Sequence, residues 1–214
     1  MNTPENQSGF TLVEMLIVLA IIGLLTTLGL TMLRSGRDEA EILEAKAFIQ
    51  SIDAALETYK LDRKIGVYPP TTLESFNGLG KLKNRTNMGI ESLVVCLNSP
   101  NYKGDRILET YEKYLQNVDG DQSAKPLTYM GAKDLFEIVD PWGNPYAYFN
   151  AEDYDRAELA RYTVADAESG ESSIVTVKPW TSGKTQTYRN ATRFQLISAG
   201  PDGVFNTEDD IGNW

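Results

Sequence analysis

The chain has 214 residues, a formal net charge of −10, no histidine and one cysteine. An acidic protein repels phosphate backbones, so nucleic acid is not expected as a partner. Without histidine the chain lacks the usual general base and the commonest transition-metal ligand, and no nucleophile–base pairing is visible, so no enzyme is predicted. A single cysteine excludes an internal disulfide, and Cys96 lies in an apolar run that predicts a buried, inert thiol.

A long apolar run begins near the N-terminus. From Phe10 to Leu33 there are 24 residues, of which Glu14 alone is ionisable. As a helix the run would be about 36 Å long, enough to span a bilayer core. A carboxylate so close to hydrocarbon should have a partner. On residue type alone, the simpler interpretation is that Glu14 lies at the helix end and reaches the lipid headgroups.

The segment before this run, residues 1–9, is short and polar. It lacks the basic start, shorter apolar core and small-residue cleavage site of a general secretory signal peptide. Arg34 and Arg37 follow the run, and the positive-inside rule alone would place the C-terminal side in the cytoplasm.

Apolar residues continue at helical spacing beyond the run. They recur every three or four residues with charged residues between them, which predicts one long helix over residues 10–61. The apolar positions of this stripe are Ile42, Ala45, Ile49, Ile52, Leu56 and Tyr59. Such a stripe must be covered, and the rest of the chain is the expected cover.

Residues 62–139 are less regular and are interpreted as a linker region with two short helices, at 90–98 and 106–117. The run from Val118 to Asp121 looks like a fragment of a calcium loop, but no acidic residue follows at EF-hand spacing. A plain Asp-Gly turn is therefore the favoured interpretation.

A rigid double turn is predicted next, where Pro141 and Pro145 flank Gly143-Asn144. Trp142 is expected in the core, and a strand after the turn would place Tyr146 and Tyr148 on one face. Further strands are predicted at 161–164, 173–177 and 193–198.

The C-terminal segment concentrates negative charge. Asp202, Asp209 and Asp210 lie within nine residues, and such charges repel each other unless they share a cation. Calcium prefers oxygen ligands, and glycines allow backbone carbonyls to turn inward. From the residues alone, an acidic solvated tail remains the simpler interpretation.

Three segments together resemble one family, the type IV pilin-like proteins and, within them, the major (G-type) pseudopilins of type II secretion. They are Gly9-Phe10-Thr11-Leu12-Val13-Glu14, Asp140-Pro141-Trp142-Gly143-Asn144-Pro145-Tyr146 and the tail from Ser198 to Trp214. The resemblance implies a pilin-like α+β fold, in which a long N-terminal helix packs on a small antiparallel β-sheet.

The resemblance also implies specific site residues. A prepilin peptidase would cleave after Gly9 and methylate the new N-terminus at Phe10. Glu14 would pair with the α-amine of Phe10 on a neighbouring subunit. Calcium would be held by the carboxylates of Asp202, Asp209 and Asp210. Backbone carbonyls near Ala199 and Val204 would complete its coordination.

The implied organisation is a leader, a transmembrane helix half and a periplasmic domain, at residues 1–9, 10–34 and 35–214. Within the domain, a helix would occupy residues 35–61 and the linker region 62–139. A β-sheet region would follow at 140–198, and a calcium-loop tail at 199–214. This implies a single-pass protein of the bacterial inner membrane, in contact with lipid, with its domain in the periplasm.

The implied function is that of a structural subunit, not an enzyme. Copies of the chain would assemble into a helical pseudopilus that drives protein export across the outer membrane. The partners would be the prepilin peptidase, the inner-membrane assembly platform and minor pseudopilins. The alternative is a type IV pilus subunit, major or minor, with an adhesive or DNA-uptake role.

Overall fold

The computed structural model describes five stretches of the chain, residues 12–62, 66–76, 85–99, 109–165 and 171–214. The chain separates into two compact units, Met1–Ala40 and Glu41–Trp214. The predicted long helix is confirmed over the described residues: helix α1 is Leu12–Asp62.

In the first unit, α1 presents apolar side chains that are exposed, from Leu12 at 80% to Leu25 at 62%. Glu14 lies in the first helical turn, and the Thr26 hydroxyl donates back to the Ile22 carbonyl at 2.7 Å. Within the described stretches, no helix combines the length and apolar character that crossing a membrane requires.

In the second unit, the predicted apolar stripe of α1 is buried. Ala45, Ile52 and Leu56 are fully inaccessible, and Ile49 and Tyr59 are nearly so, while Ile42 is half-buried. Each large aliphatic side chain buried in this way contributes about 1.5–3 kcal/mol. The prediction that this stripe needs a cover is therefore confirmed.

Helix α2, Met88–Asn98, forms part of that core, and all of its residues are buried. The prediction of a helix at 90–98 is confirmed, with a start two residues earlier. Asn87 precedes it with a positive φ of 59°, donates to Glu137 Oε1 at 2.9 Å and accepts from Thr163 N at 2.8 Å. Cys96 is buried as predicted, and burial raises the pKa of its thiol to about 12.

Short antiparallel strands complete the fold. The described residues contain β1 Leu115–Gln116, β2 Glu137–Ile138, β3 Ala147–Asn150, β4 Arg161–Ala165, β5 Ser172–Thr176, β6 Phe194–Ser198 and β7 Ile211–Gly212. They form three small sheets, with strand orders β1-β2, β3-β6-β7 and β4-β5. The strands predicted at 161–164, 173–177 and 193–198 correspond to β4, β5 and β6, so the α+β fold is confirmed.

The helix predicted at 106–117 is confirmed only in part, because the helical segment in this range is shorter and of the 3-10 type. Glu109–Tyr114 forms a 3-10 helix, and Leu115–Gln116 is already strand β1. Long-range contacts override the helical pattern here, because Leu115 pairs with Ile138 and Val139 N donates to the Tyr114 carbonyl at 2.8 Å. Residues 106–108 lie outside the described stretches.

Tyrosines fill the space between α2 and the sheets. Tyr146 and Tyr148 are both buried, and all four residues of β3 are buried as well, so burial does not alternate along this strand. The Tyr162 hydroxyl donates to the Tyr148 carbonyl and accepts from the Tyr148 N–H, both at 3.0 Å. The buried hydroxyl of Tyr162 is therefore fully hydrogen-bonded. Trp142, expected in the core, is half-buried and packs against it.

Gly89 on α2 allows these tyrosines to approach the helix. A Cβ at this position would overlap the Tyr148 carbonyl and lie 2.5 Å from the Tyr162 hydroxyl oxygen. We expect Gly89→Ala to lower the unfolding free energy by about 3 kcal/mol, because both obstacles are buried and hydrogen-bonded. Urea unfolding of the full chain in detergent measures this change.

Gly183→Ala is the matched control, because its Cβ would meet no atom within 4 Å. Its unfolding free energy should stay within about 0.5 kcal/mol of the unsubstituted chain. Equal effects of the two substitutions would show that α2 does not pack this closely.

Candidate functional site: the acidic C-terminal loop

The predicted processing residues lie at the start of the chain. Gly9 and Phe10 lie outside the described residues. Glu14 is exposed in the first turn of α1. An acidic side chain in the first turn of a helix interacts favourably with the helix dipole.

The acidic tail is a closed loop between strands β6 and β7. Ser198 pairs with Ile211 and Ile197 with Gly212, so the end of the chain returns to the sheet. Asn213 then accepts from Leu196 N at 3.1 Å and donates to Asp53 on α1 at 3.1 Å. The tail is therefore docked at both ends, and a freely solvated tail does not describe it.

Asp202 and Asp209 are brought together across this loop. The N–H of Asp202 donates to Asp209 Oδ2 at 3.2 Å, and Asp202 Oδ1 accepts from Val204 N at 2.7 Å. Gly200 has a φ of +69°, and a Cβ there would overlap the Asp209 backbone. Glycine is therefore required for the loop to close on Asp209.

Asp210 is held in place by two hydrogen bonds to one of its carboxylate oxygens. Its Oδ2 accepts from the Trp180 indole at 2.8 Å and from Asn206 N at 2.9 Å, whereas its Oδ1 is buried without a hydrogen-bond partner. Burial, together with the charges of Asp209 and Asp202, raises the pKa of Asp210 to about 6 against those two hydrogen bonds. Burial also acts on Asp209, but hydrogen bonds from Thr207 and Asp202 outweigh it and lower that pKa.

The arrangement gathers carboxylate oxygens and leaves one buried oxygen without a donor, which suits a hard cation. The carboxylate oxygens of Asp202, Asp209 and Asp210 do not all lie within 4.8 Å of one another. In the part of the chain that the structure describes, a different group of three acidic residues has oxygens at that spacing. Of the two predicted carbonyl positions, Ala199 is fully buried, and the Val204 carbonyl accepts from the Thr207 hydroxyl at 3.0 Å.

Asp140, in the double turn, anchors the root of the loop. Its Oδ1 accepts from the N–H groups of Trp142 and Asn144 at 3.1 and 2.9 Å, and its Oδ2 accepts from the Ser198 hydroxyl at 2.7 Å. Ser198 in turn accepts from Gly200 N at 3.1 Å. The sequence identified the turn but not this role, since nothing local connects Asp140 with a serine 58 positions later.

These features define a class of protein: a pilin-like chain with a long N-terminal helix, small antiparallel sheets and an N-terminal processing signal. Residues 5–30 match the family described as the prokaryotic N-terminal methylation motif. The match covers the predicted cleavage position, Phe10 and Glu14.

Relatives matched along nearly the whole chain identify the particular family. Type II secretion system core protein G of Pseudomonas aeruginosa is 30% identical over 213 residues, covering 98% of this chain and 96% of its own length. The protein of that name from Escherichia coli K12 is 28% identical over 214 residues, covering 100% and 95%. That of Vibrio cholerae is 25% identical over 183 residues, covering 84% and 96%. The chain belongs to the family of type II secretion system core protein G.

The buried Asp140 carboxyl gives a pH-dependent prediction. Burial raises its pKa from 3.8 to about 6, against the hydrogen bonds from Ser198, Asn144 and Trp142. Between these values the folded state binds more protons than the unfolded state, so this group's contribution to stability falls as the pH rises from about 4 to about 6. Asp140→Asn removes that dependence.

We expect the unfolding free energy of Asp140→Asn to increase by about 2 kcal/mol, relative to that of the unsubstituted chain, between pH 4 and pH 7.5. Denaturant titrations of the full chain in detergent and excess chelator measure it. Asp140→Ala is the comparison: it removes the same titrating group but leaves the three donors without an acceptor, so it should be less stable than Asp140→Asn by about 2–4 kcal/mol at every pH. Parallel pH profiles for Asp140→Asn and the unsubstituted chain would contradict the raised pKa.

Proposed function

We propose that this chain is the structural subunit of a type II secretion pseudopilus, assembling with copies of itself into a helical filament that drives protein export across the outer membrane. The observation that carries the proposal is the first half of α1: in a chain of this family, its described apolar side chains from Leu12 to Leu25 are exposed. A surface of this kind requires lipid or another copy as its cover.

The N-terminal signal supports a defined processing step. A prepilin peptidase cleaves after Gly9 and methylates Phe10, which the methylation-motif match over residues 5–30 supports. The new α-amine then becomes available to Glu14 of a neighbouring copy. Pairing these two charges in apolar surroundings offsets part of their desolvation cost and fixes the register between subunits.

The apolar run from Phe10 to Leu33 supports the placement in the membrane. In this proposal it lies in the bacterial inner membrane as a single span, and the compact unit from Glu41 onward lies in the periplasm. The assembly platform of the inner membrane and minor pseudopilins are the further partners. The relatives carry the type II secretion name, which favours a pseudopilus over the alternative of an adhesive or DNA-uptake pilus.

The role is structural rather than catalytic. The relatives are named as core proteins of a secretion system, and the carboxylates of Asp202 and Asp210 accept hydrogen bonds from backbone N–H groups of their own loop. The peptidase acts on this chain and not the reverse.

Calcium is the ion we assign to the C-terminal loop. Asp202, Asp209 and Asp210 would hold it, with the carbonyls of Ala199 and Val204 as further ligands. Three features support this assignment: oxygen-only ligands, the partnerless buried Oδ1 of Asp210, and the closure of the loop at Gly200. When bound, the ion neutralises the repelling carboxylates and ties the tail to the sheet in a chain without disulfides.

Processing is tested at the cleavage position. Gly9→Leu should leave the chain at its full length, because the peptidase accommodates only a small residue before the cut. In cells with a prepilin peptidase, mass spectrometry should show the unsubstituted chain without residues 1–9 and with a methyl group on Phe10. Ser8→Ala, one position earlier, should be processed normally. Mature-size Gly9→Leu protein would remove the signal interpretation.

The calcium assignment is tested by thermal unfolding of the full chain in detergent, with calcium or with chelator. A ligand bound only by the folded state at about 100 times its Kd stabilises by roughly 2.7 kcal/mol. Asp202→Ala combined with Asp209→Ala should therefore reduce the calcium-dependent rise in Tm. Glu208→Ala, a neighbouring exposed carboxylate, should leave it unchanged. An undiminished rise in the double variant would show that the loop does not hold the ion.

A further inference from the structure

A second acidic group lies inside the domain, away from the tail. One carboxylate oxygen each from Glu91, Asp119 and Glu137 lies within 4.8 Å of the other two. The three residues come from different elements: the first turn of α2, the turn after β1, and strand β2. Neither the comparisons nor the processing signal assigns a role to these residues.

Glu91 is the residue that indicates a ligand. It is 1% exposed, and its Oε1 has no hydrogen-bond partner. Burial raises the pKa of Glu91 well above its usual range, and the nearby charges of Asp121, Glu137 and Asp119 raise it further. A buried carboxylate oxygen in this position lacks any compensation for its lost hydration.

Glu137 is fixed in place but not neutralised. It is fully buried; its Oε1 accepts from Asn87 at 2.9 Å and its Oε2 from Val118 N at 2.9 Å. Burial and the charge of Asp119 raise its pKa to about 8, against those two hydrogen bonds. Each Glu137 oxygen retains a lone pair that could contact a cation.

The turn from Asn117 to Asp121 presents the third carboxylate. Asn117 Oδ1 accepts from the N–H groups of Gly120 and Asp121 at 2.8 and 3.1 Å, and Gly120 has a φ of +73°. The predicted Asp-Gly turn is therefore present. The sequence did not show that this turn places Asp119 beside two glutamates from elsewhere in the chain.

We propose that Glu91, Asp119 and Glu137 form a second calcium site, distinct from the C-terminal loop. A proton satisfies one oxygen, whereas a divalent cation satisfies all three at once. Oxygens around a Ca²⁺ ion at about 2.4 Å lie at most about 4.8 Å apart, the spacing of this group. Mg²⁺ requires ligands at about 2.0–2.1 Å and a regular octahedron, and zinc, copper, nickel and iron favour the nitrogen and sulfur ligands that this group lacks.

The bound ion would join α2, the 117–121 turn and β2. These elements belong to the region from 85 to 139, where β1 and β2 have only two residues each. Such short strands add few backbone hydrogen bonds, so a cation shared by three elements supplies the cross-link that an internal disulfide cannot supply in a chain with one cysteine.

The test is equilibrium dialysis of the full chain in detergent against radioactive calcium, with magnesium in excess. Asp202→Ala with Asp209→Ala removes the tail ligands, and this variant should still bind one calcium ion per chain. Adding Glu91→Gln, a near-isosteric neutral change, should weaken that remaining binding at least tenfold. Glu112→Gln, an exposed carboxylate of the same region, should leave it unchanged.

Asp119→Asn repeats the test at a half-buried position that is more tolerant of substitution, and near-ultraviolet circular dichroism confirms that each variant is folded. No residual calcium binding in the tail variant would overturn the second site. Residual binding that survives both Glu91→Gln and Asp119→Asn would overturn it as well. A tail variant that binds as many ions as the unsubstituted chain refutes the tail site instead, so the two proposals fail separately.

Discussion

The fold depends on the burial of one face of helix α1. In its second half, the stripe from Ala45 to Tyr59 is buried against α2 and the core aromatic residues, and this apolar contact is the largest favourable term available to the domain. Arg193, next to β6, adds charge-assisted hydrogen bonds to Asp53 at 2.9 Å and Glu57 at 2.5 Å. In the first half of α1 the described apolar side chains are exposed.

Buried carboxylates connect several other segments of the domain by hydrogen bonds. Asp140 accepts from two turn N–H groups and a serine hydroxyl, and Glu137 accepts from an asparagine side chain and a backbone N–H. Asp210 and Glu91 differ from these two, because each leaves one buried oxygen without a hydrogen-bond partner. In a chain that cannot form an internal disulfide, those two oxygens are where a bound cation would stabilise the fold most.

Residue patterns in the sequence predicted those helices and strands that short-range interactions determine. The 3.6-residue period of α1 and the strand patterns of β4 and β6 are visible in the sequence, and the structure contains these elements. Strand β7 was not predicted, because two residues carry no periodic signal and only pairing with Ile197 and Ser198 makes them a strand. The helix expected at 106–117 ends at Tyr114, because pairing of the same kind makes Leu115–Gln116 a strand.

The two proposed cation sites differ in how far the sequence could identify them. The tail carboxylates are close in sequence and belong to a motif, whereas Glu91, Asp119 and Glu137 come from three elements with no common motif.

A photo-reactive amino acid at Leu16, in cells that assemble the secretion system, tests most directly whether copies of the chain cover the first half of α1. We expect covalent dimers of this chain; adducts to lipid or other proteins without any second copy would contradict the proposed packing.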